Sequence, residues 1–106
     1  MNRDLSIGLE RVRVRFLSEL IERTRLIDKA YSRMNSEGLA GNAIEEICAV
    51  AHKIAGTAGT LGFEQLGMQA AKTEDMIRQR SDGQAVEEAT LRAEIIKLIY
   101  LANHPC

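Results

Sequence analysis

A chain of 106 residues has room for one hydrophobic core and not for two, so a single domain over residues 1–106 is expected. Its 14 Lys and Arg nearly balance its 15 Asp and Glu, and no block of like charge stands out, which argues against general nucleic-acid binding. The start MNRDLSIGLERVRVR has no apolar signal core and no stretch is long enough to span a bilayer; with Cys48 and Cys106 forming no disulfide framework, a cytoplasmic protein without membrane attachment is expected.

Helix-favouring Ala, Leu, Ile, Glu, Arg and Lys dominate, and alternating strand patterns between turns are absent. The first predicted helix runs from about Ser6 to Met34, with Val12, Phe16, Leu20, Ile27 and Tyr31 on its apolar stripe and room for an extra short helical turn at its start. Arg11, Arg13 and Arg15 read as its solvated surface. NSEGLAGN then breaks the pattern. The second helix is predicted from Asn42 to about Leu61, with Asn42 as N-cap and Glu45 at the capping-box spacing. The third begins after LGF and continues to about Arg80, with Leu66, Ala70, Thr73 and Ile77 on its core side. SDGQ is a turn, and the fourth helix spans about Ala85 to Ala102, with Leu91, Ile95, Leu98 and Ile99 on one face. Four amphipathic helices with short connections predict an all-α, antiparallel four-helix bundle.

The segment AHKIAGTAGTLGF, Ala51 to Phe63, poses a problem for this reading. A glycine inside a helix costs roughly 1 kcal/mol relative to alanine, and Gly56 and Gly59 fall within the predicted second helix. On a helical wheel Ile44, Ile47, Cys48, Ala51, Ala55 and Ala58 form the core stripe, with Ile54 at one edge. His52 lies roughly 90° away, at the other edge. Its neighbours along the helix are Ala49, Gly56 and Gly59, so the ring has little bulk beside it. On the third helix Gly67 and Ala71 are again small and lead to Glu74 and Arg78. A hairpin of these two helices would join Ala49, Gly56, Gly59, Gly67 and Ala71 into a bare docking surface holding one imidazole, one carboxylate and one guanidinium. Met68 and Met76 are expected to be packing residues, and His104 carries no role.

A lone histidine of this kind has no Ser or Cys nucleophile at a fixed spacing, and a metal site needs more ligands than the sequence offers beside it, so no metal is expected. Neutral imidazole is itself a nucleophile that can carry a covalent group. Phosphoryl transfer asks for little beyond positioning and charge compensation. Glu74 could accept a hydrogen bond from the other ring nitrogen and fix the tautomer, and Lys53 or Arg78 could balance phosphoryl charge. The same bare surface also suits a helical adaptor that binds a partner without being phosphorylated.

AHKIAGTAGTLGFEQLGMQAAKTED resembles the core motif of histidine-containing phosphotransfer (HPt) domains, matching at His52, Gly56, Thr57, Ala58, Gly59, Leu61, Gly62, Leu66, Ala70 and Glu74. The detailed resemblance spans Ala51 to Asp75, about a quarter of the chain. It implies a four-helix bundle acting as a phosphocarrier, not an independent enzyme. His52 would accept a phosphoryl group from an aspartyl phosphate on a response-regulator receiver domain and pass it to another. Receiver domains and a hybrid sensor histidine kinase are the implied partners, and magnesium would belong to the receiver, leaving this chain without a cofactor. The chain departs from the family pattern three residues after the histidine, where a lysine is usual and Ala55 stands here; Arg78 or Lys72 could compensate for the missing cation.

Overall fold

The computed structural model describes residues 3–105, with side chains from residue 7 onward. Four helices follow in order: α1 (Arg3–Glu37), α2 (Ala43–Thr57), α3 (Glu64–Ser81) and α4 (Glu88–Asn103). Short 3-10 turns follow α1, at Gly38–Ala40, and α2, at Gly59–Leu61, and no strand occurs among the described residues. Each helix packs against its two neighbours in a ring, α1 on α2, α2 on α3, α3 on α4 and α4 on α1. Pairings between residues far apart in sequence give the antiparallel register: Arg33 with Glu46, His52 with Glu74, Lys72 with Glu94, and Arg92 with the Met34 carbonyl.

The core is the sum of the four apolar stripes. Phe16, Leu20, Ile27 and Met34 from α1 meet Ile47, Ala51 and Ile54 from α2, Leu66, Ala70 and Ile77 from α3, and Leu91, Ile95 and Leu98 from α4, all buried. Phe16 stacks on Phe63 at 5.5 Å between ring centroids and closes one end. Ile54, placed by the wheel at the edge of its stripe, is fully buried, whereas Cys48 and Ala55 are half-buried.

Several expectations need correction. From Arg3 onward the N-terminal residues continue α1 as one helix and form no separate turn. The helix outruns the rest of the bundle there, so every side chain from Ile7 to Arg15 is exposed. Val12, expected on the core stripe, is 50% exposed because no other helix reaches that height. Arg13 is not simply solvated: its Nε donates to the Leu61 carbonyl, and the guanidinium sits over the Phe63 ring. Asn42 makes no capping hydrogen bond, because its backbone is already helical (φ −76°, ψ −12°) and not in the extended conformation that aims a cap side chain at the first amides. The α-helical part of α2 stops at Thr57; the chain then tightens into the 3-10 turn and reverses at Gly62, whose φ of +94° only glycine adopts without strain. α4 starts at Glu88, later than predicted, because Gly83 turns the chain and Val86 is laid against the core before the helix begins. Cys106 lies outside the described residues.

Gly67 and Gly8 show opposite uses of glycine. A Cβ on Gly67 would stand 3.1 Å from the Gly59 backbone nitrogen, whereas one on Gly8 would meet nothing within 4 Å. Gly67→Ala should therefore destabilise by about 1–3 kcal/mol through overpacking, and Gly8→Ala should stabilise by up to about 1 kcal/mol through helix propensity. Ile54→Ala, at a site with no exposure, should cost about 2–5 kcal/mol. Urea melts of the three variants against wild type measure all three changes.

Candidate functional site

The site lies on the α2–α3 seam, and packing brings its two helices together. Gly67 is buried against the backbone of Gly59 and the methyl of Ala58, so the two helices meet closely where the hairpin turns. Two helical turns up the seam His52, on α2, faces Glu74, on α3. His52 Nδ1 is 2.7 Å from Glu74 Oε2. The same oxygen accepts from Arg78 Nε at 3.0 Å and from Arg78 Nη2 at 2.6 Å. Exposure differs sharply across this triplet: the side chains of His52 and Arg78 are 66% and 59% exposed, that of Glu74 only 11%.

The charge state of Glu74 follows from its neighbours. Burial pushes its carboxyl upward, but the hydrogen bonds from Arg78 and His52 and their charges outweigh burial, and the net shift is downward. Glu74 is thus a carboxylate, which can only accept. The proton on the shared bond must sit on His52 Nδ1, and the tautomer follows from the network. Nε2 is left with its lone pair, and it has no hydrogen-bond partner among the described residues.

The other residues singled out from sequence divide clearly. Ala49, Gly56 and Gly59 are exposed and Ala71 is half-buried, consistent with an open surface. Gly67 is buried and belongs to the helix packing, so it is not part of that surface. A Cβ on Gly56 or Gly59 would meet nothing within 4 Å, so the fold gives no reason for glycine at either position. Lys53 is exposed and makes no ion pair among the described residues. Ala55 is half-buried against the core. Lys72 turns to the opposite side of α3 and pairs with Glu94 at 3.0 Å. Glu94 is a buried acid that sequence reasoning passed over. The Lys72 ammonium, outweighing burial, holds its carboxyl low, although neither carboxylate oxygen receives an aligned hydrogen bond. Met68, expected to pack, is 73% exposed; Met76 is half-buried against the core. Among the described residues no group of three or more His, Cys, Asp or Glu side chains is arranged to hold a metal ion, and no helix is long and apolar enough to cross a membrane.

The chain is thus a four-helix bundle with one exposed imidazole on an open seam, held through Nδ1 by a buried carboxylate. The family model for the Hpt domain matches residues 11–100, and the chain belongs to that family. Domains of this family act in phosphotransfer in two-component signalling and interact with receiver domains and kinases. Neither the curated proteins nor the solved structures gave a match to this chain.

The lowered Glu74 and Glu94 carboxyls make a pH prediction. A carboxyl whose folded pKa is depressed adds stability above its unfolded value, about 4.3, and that stability is lost as pH falls through the folded value. Thermal melts from pH 7 to 3 should show a falling midpoint below about pH 4.3, and Glu74→Gln should flatten the slope. An unchanged slope in the variant would mean that Glu74 is not held ionised by its partners.

Proposed function

We propose that this protein is a phosphorelay intermediate in which His52 accepts a phosphoryl group from an aspartyl phosphate of one receiver domain and passes it to another. The observation that carries this reading is the exposed His52 ring with Nδ1 bound to Glu74 and Nε2 uncommitted. The Nε2 lone pair attacks phosphorus, an N–P bond forms, and the P–O bond to the aspartyl carboxylate breaks. That carboxylate keeps the electron pair. The Nδ1 proton stays in place, so the phosphorylated ring becomes cationic, and the Glu74 carboxylate against it balances the charge. Arg78 keeps Glu74 ionised and aimed. Lys53, one residue beyond His52 on a flexible stem, is the cation free to approach the phosphoryl oxygens.

Magnesium in this scheme belongs to the receiver, and this chain works as a carrier and not as an independent catalyst. A cytoplasmic location fits its described helices, none of which can span a bilayer. The kinase at the head of the relay is a hybrid sensor histidine kinase. The open space above Gly56 and Gly59 gives the partner backbone room to approach the ring. A second reading, an adaptor that binds the same partners without phosphorylation, draws on Ala55, which supplies no cation beside His52.

The test is transfer from a panel of labelled phospho-receivers with magnesium. Wild type should acquire an acid-labile, base-stable label and His52→Gln none. Glu74→Gln should slow transfer by about 10- to 100-fold, the usual scale for losing the partner that orients a working histidine. Binding of a receiver by wild type and His52→Gln alike, with no label on either, would establish the adaptor instead.

The empty space at Gly56 supports a separate expectation. Gly56→Leu should leave the melting temperature unchanged or raise it, since a helical glycine is removed and a Cβ there meets nothing within 4 Å. It should raise the KM for a phospho-receiver at least tenfold. A rise in stability with unimpaired transfer would show that the bare surface is not used.

A further inference from the structure

α1 carries a second apolar stripe that its own bundle does not use. Ile7, Val14 and Ile21 are 46%, 58% and 75% exposed. Their seven-residue spacing falls only about 20° short of two full turns, so all three share one face. That face is turned away from the core stripe of Phe16, Leu20 and Ile27. It is also turned away from His52. Arg33 reaches toward α2, where it pairs with Glu46, whereas Ile21 borders a groove of about 460 Å³ on the α4 side, floored by Leu17, Ile99 and Ala102. The stretch of α1 up to Arg15 stands beyond the other helices. A helix of that length is marginal in water without packing.

We propose that this stripe is a homodimer interface on which the α1 helix of a second copy packs antiparallel. The proposal is independent of the phosphocarrier reading. Charge selects both the occupant and its direction. With a two-fold axis between Leu17 and Ser18, Val14 of each copy lies opposite Ile21 of the other. The same register sets Glu10 opposite Arg25 and brings Arg11 within one turn of Glu22 on the same flank. This happens at both ends of the contact. The four side chains are exposed and within reach of solvent. A parallel pair would instead set each of them beside its own copy, acid on acid and base on base, which opposes association. Ser18, exposed and small, lies at the axis and lets the two helices approach, while Val14 and Ile21 fill the space on either side. The face from Ile7 to Asp28 is about 33 Å long and, with the α4 groove, about 20 Å wide. Its roughly 660 Å² is close to the roughly 800 Å² per partner of a standard interface. Both His52 rings stay open, because the α2–α3 seam takes no part.

Sedimentation equilibrium of the full chain, from about 1 μM to about 1 mM, tests the proposal on wild type, Val14→Glu, Ile21→Glu, Glu10→Arg and Arg25→Glu, each checked by a thermal melt. Wild type should reach the mass of two chains within that range. Val14→Glu and Ile21→Glu should each weaken association tenfold or more, because they set a carboxylate in the apolar seam. Glu10→Arg alone and Arg25→Glu alone should weaken it too, since each places like charges opposite. An equimolar mixture of those two variants should pair to within threefold of wild type, because position 10 of either copy then meets the opposite charge at position 25 of the other. A folding defect cannot produce that rescue. Wild type that stays monomeric up to about 1 mM would overturn the proposal. A dimer untouched by Val14→Glu and Ile21→Glu would overturn it as well, by placing the interface elsewhere. A mixture no tighter than its components would overturn the antiparallel register. Monomeric wild type that sediments with anionic lipid vesicles, and no longer does so as Val14→Glu, would assign the stripe to a membrane surface instead.

Discussion

The site depends on how closely α2 and α3 can approach. Gly67 carries no side chain, and a Cβ there would stand only 3.1 Å from the Gly59 backbone nitrogen. That contact sets the separation and register of the two helices at the turn end of the hairpin. Two helical turns farther on, the same register brings Glu74 under His52 at hydrogen-bond distance. A wider seam would leave the carboxylate buried and facing no ring. A slip of one residue would rotate it by roughly 100° about the α3 axis. Helix packing and the state of the imidazole are thus one constraint seen at two ends.

Glu74 converts that geometry into chemistry because it is buried while its partners are not. An exposed carboxylate beside a histidine would exchange partners with water, and an unpaired buried one would take up a proton. Here Arg78 meets the carboxylate from the solvent side with two donors and His52 meets it from the seam. The ion is satisfied, it can only accept, and the ring is held with its proton on Nδ1. The sites for group transfer and for charge balance are therefore separate: Nε2 faces outward, and the compensating charge sits behind the ring.

The glycines of the Ala51–Phe63 segment serve three physical ends. Gly62 permits a left-handed turn. Gly59 lends its backbone as the floor on which Gly67 packs, while its own missing side chain faces open space. Gly56 packs against nothing. A residue that weakens a helix and fills no tight contact is explained by what must come close from outside.

Much of this was legible in the sequence. The 3.6-residue spacing of Leu66, Ala70 and Ile77 and of Leu91, Ile95 and Leu98 determined which faces would be buried, because apolar area has to leave water and a helix can bury only one side. The spacing of His52, Gly56 and Gly59, with Glu74 and Arg78 on the next helix, marked the site, since residues three, four and seven apart share a helix face. Spacing alone could not distinguish Gly67 from Gly56, because both are small residues on a flank; only the neighbouring backbone shows that one is a packing contact and the other open space. Nor could it show that Asn42 would fail to cap, that Val12 stands above the last packed layer, that Lys72 turns to Glu94, or that Met68 faces water. Each of those outcomes depends on where a second element ends or which side of it lies near. Sequence periodicity determines the face a residue occupies on its own helix, whereas the tertiary structure decides what that face meets.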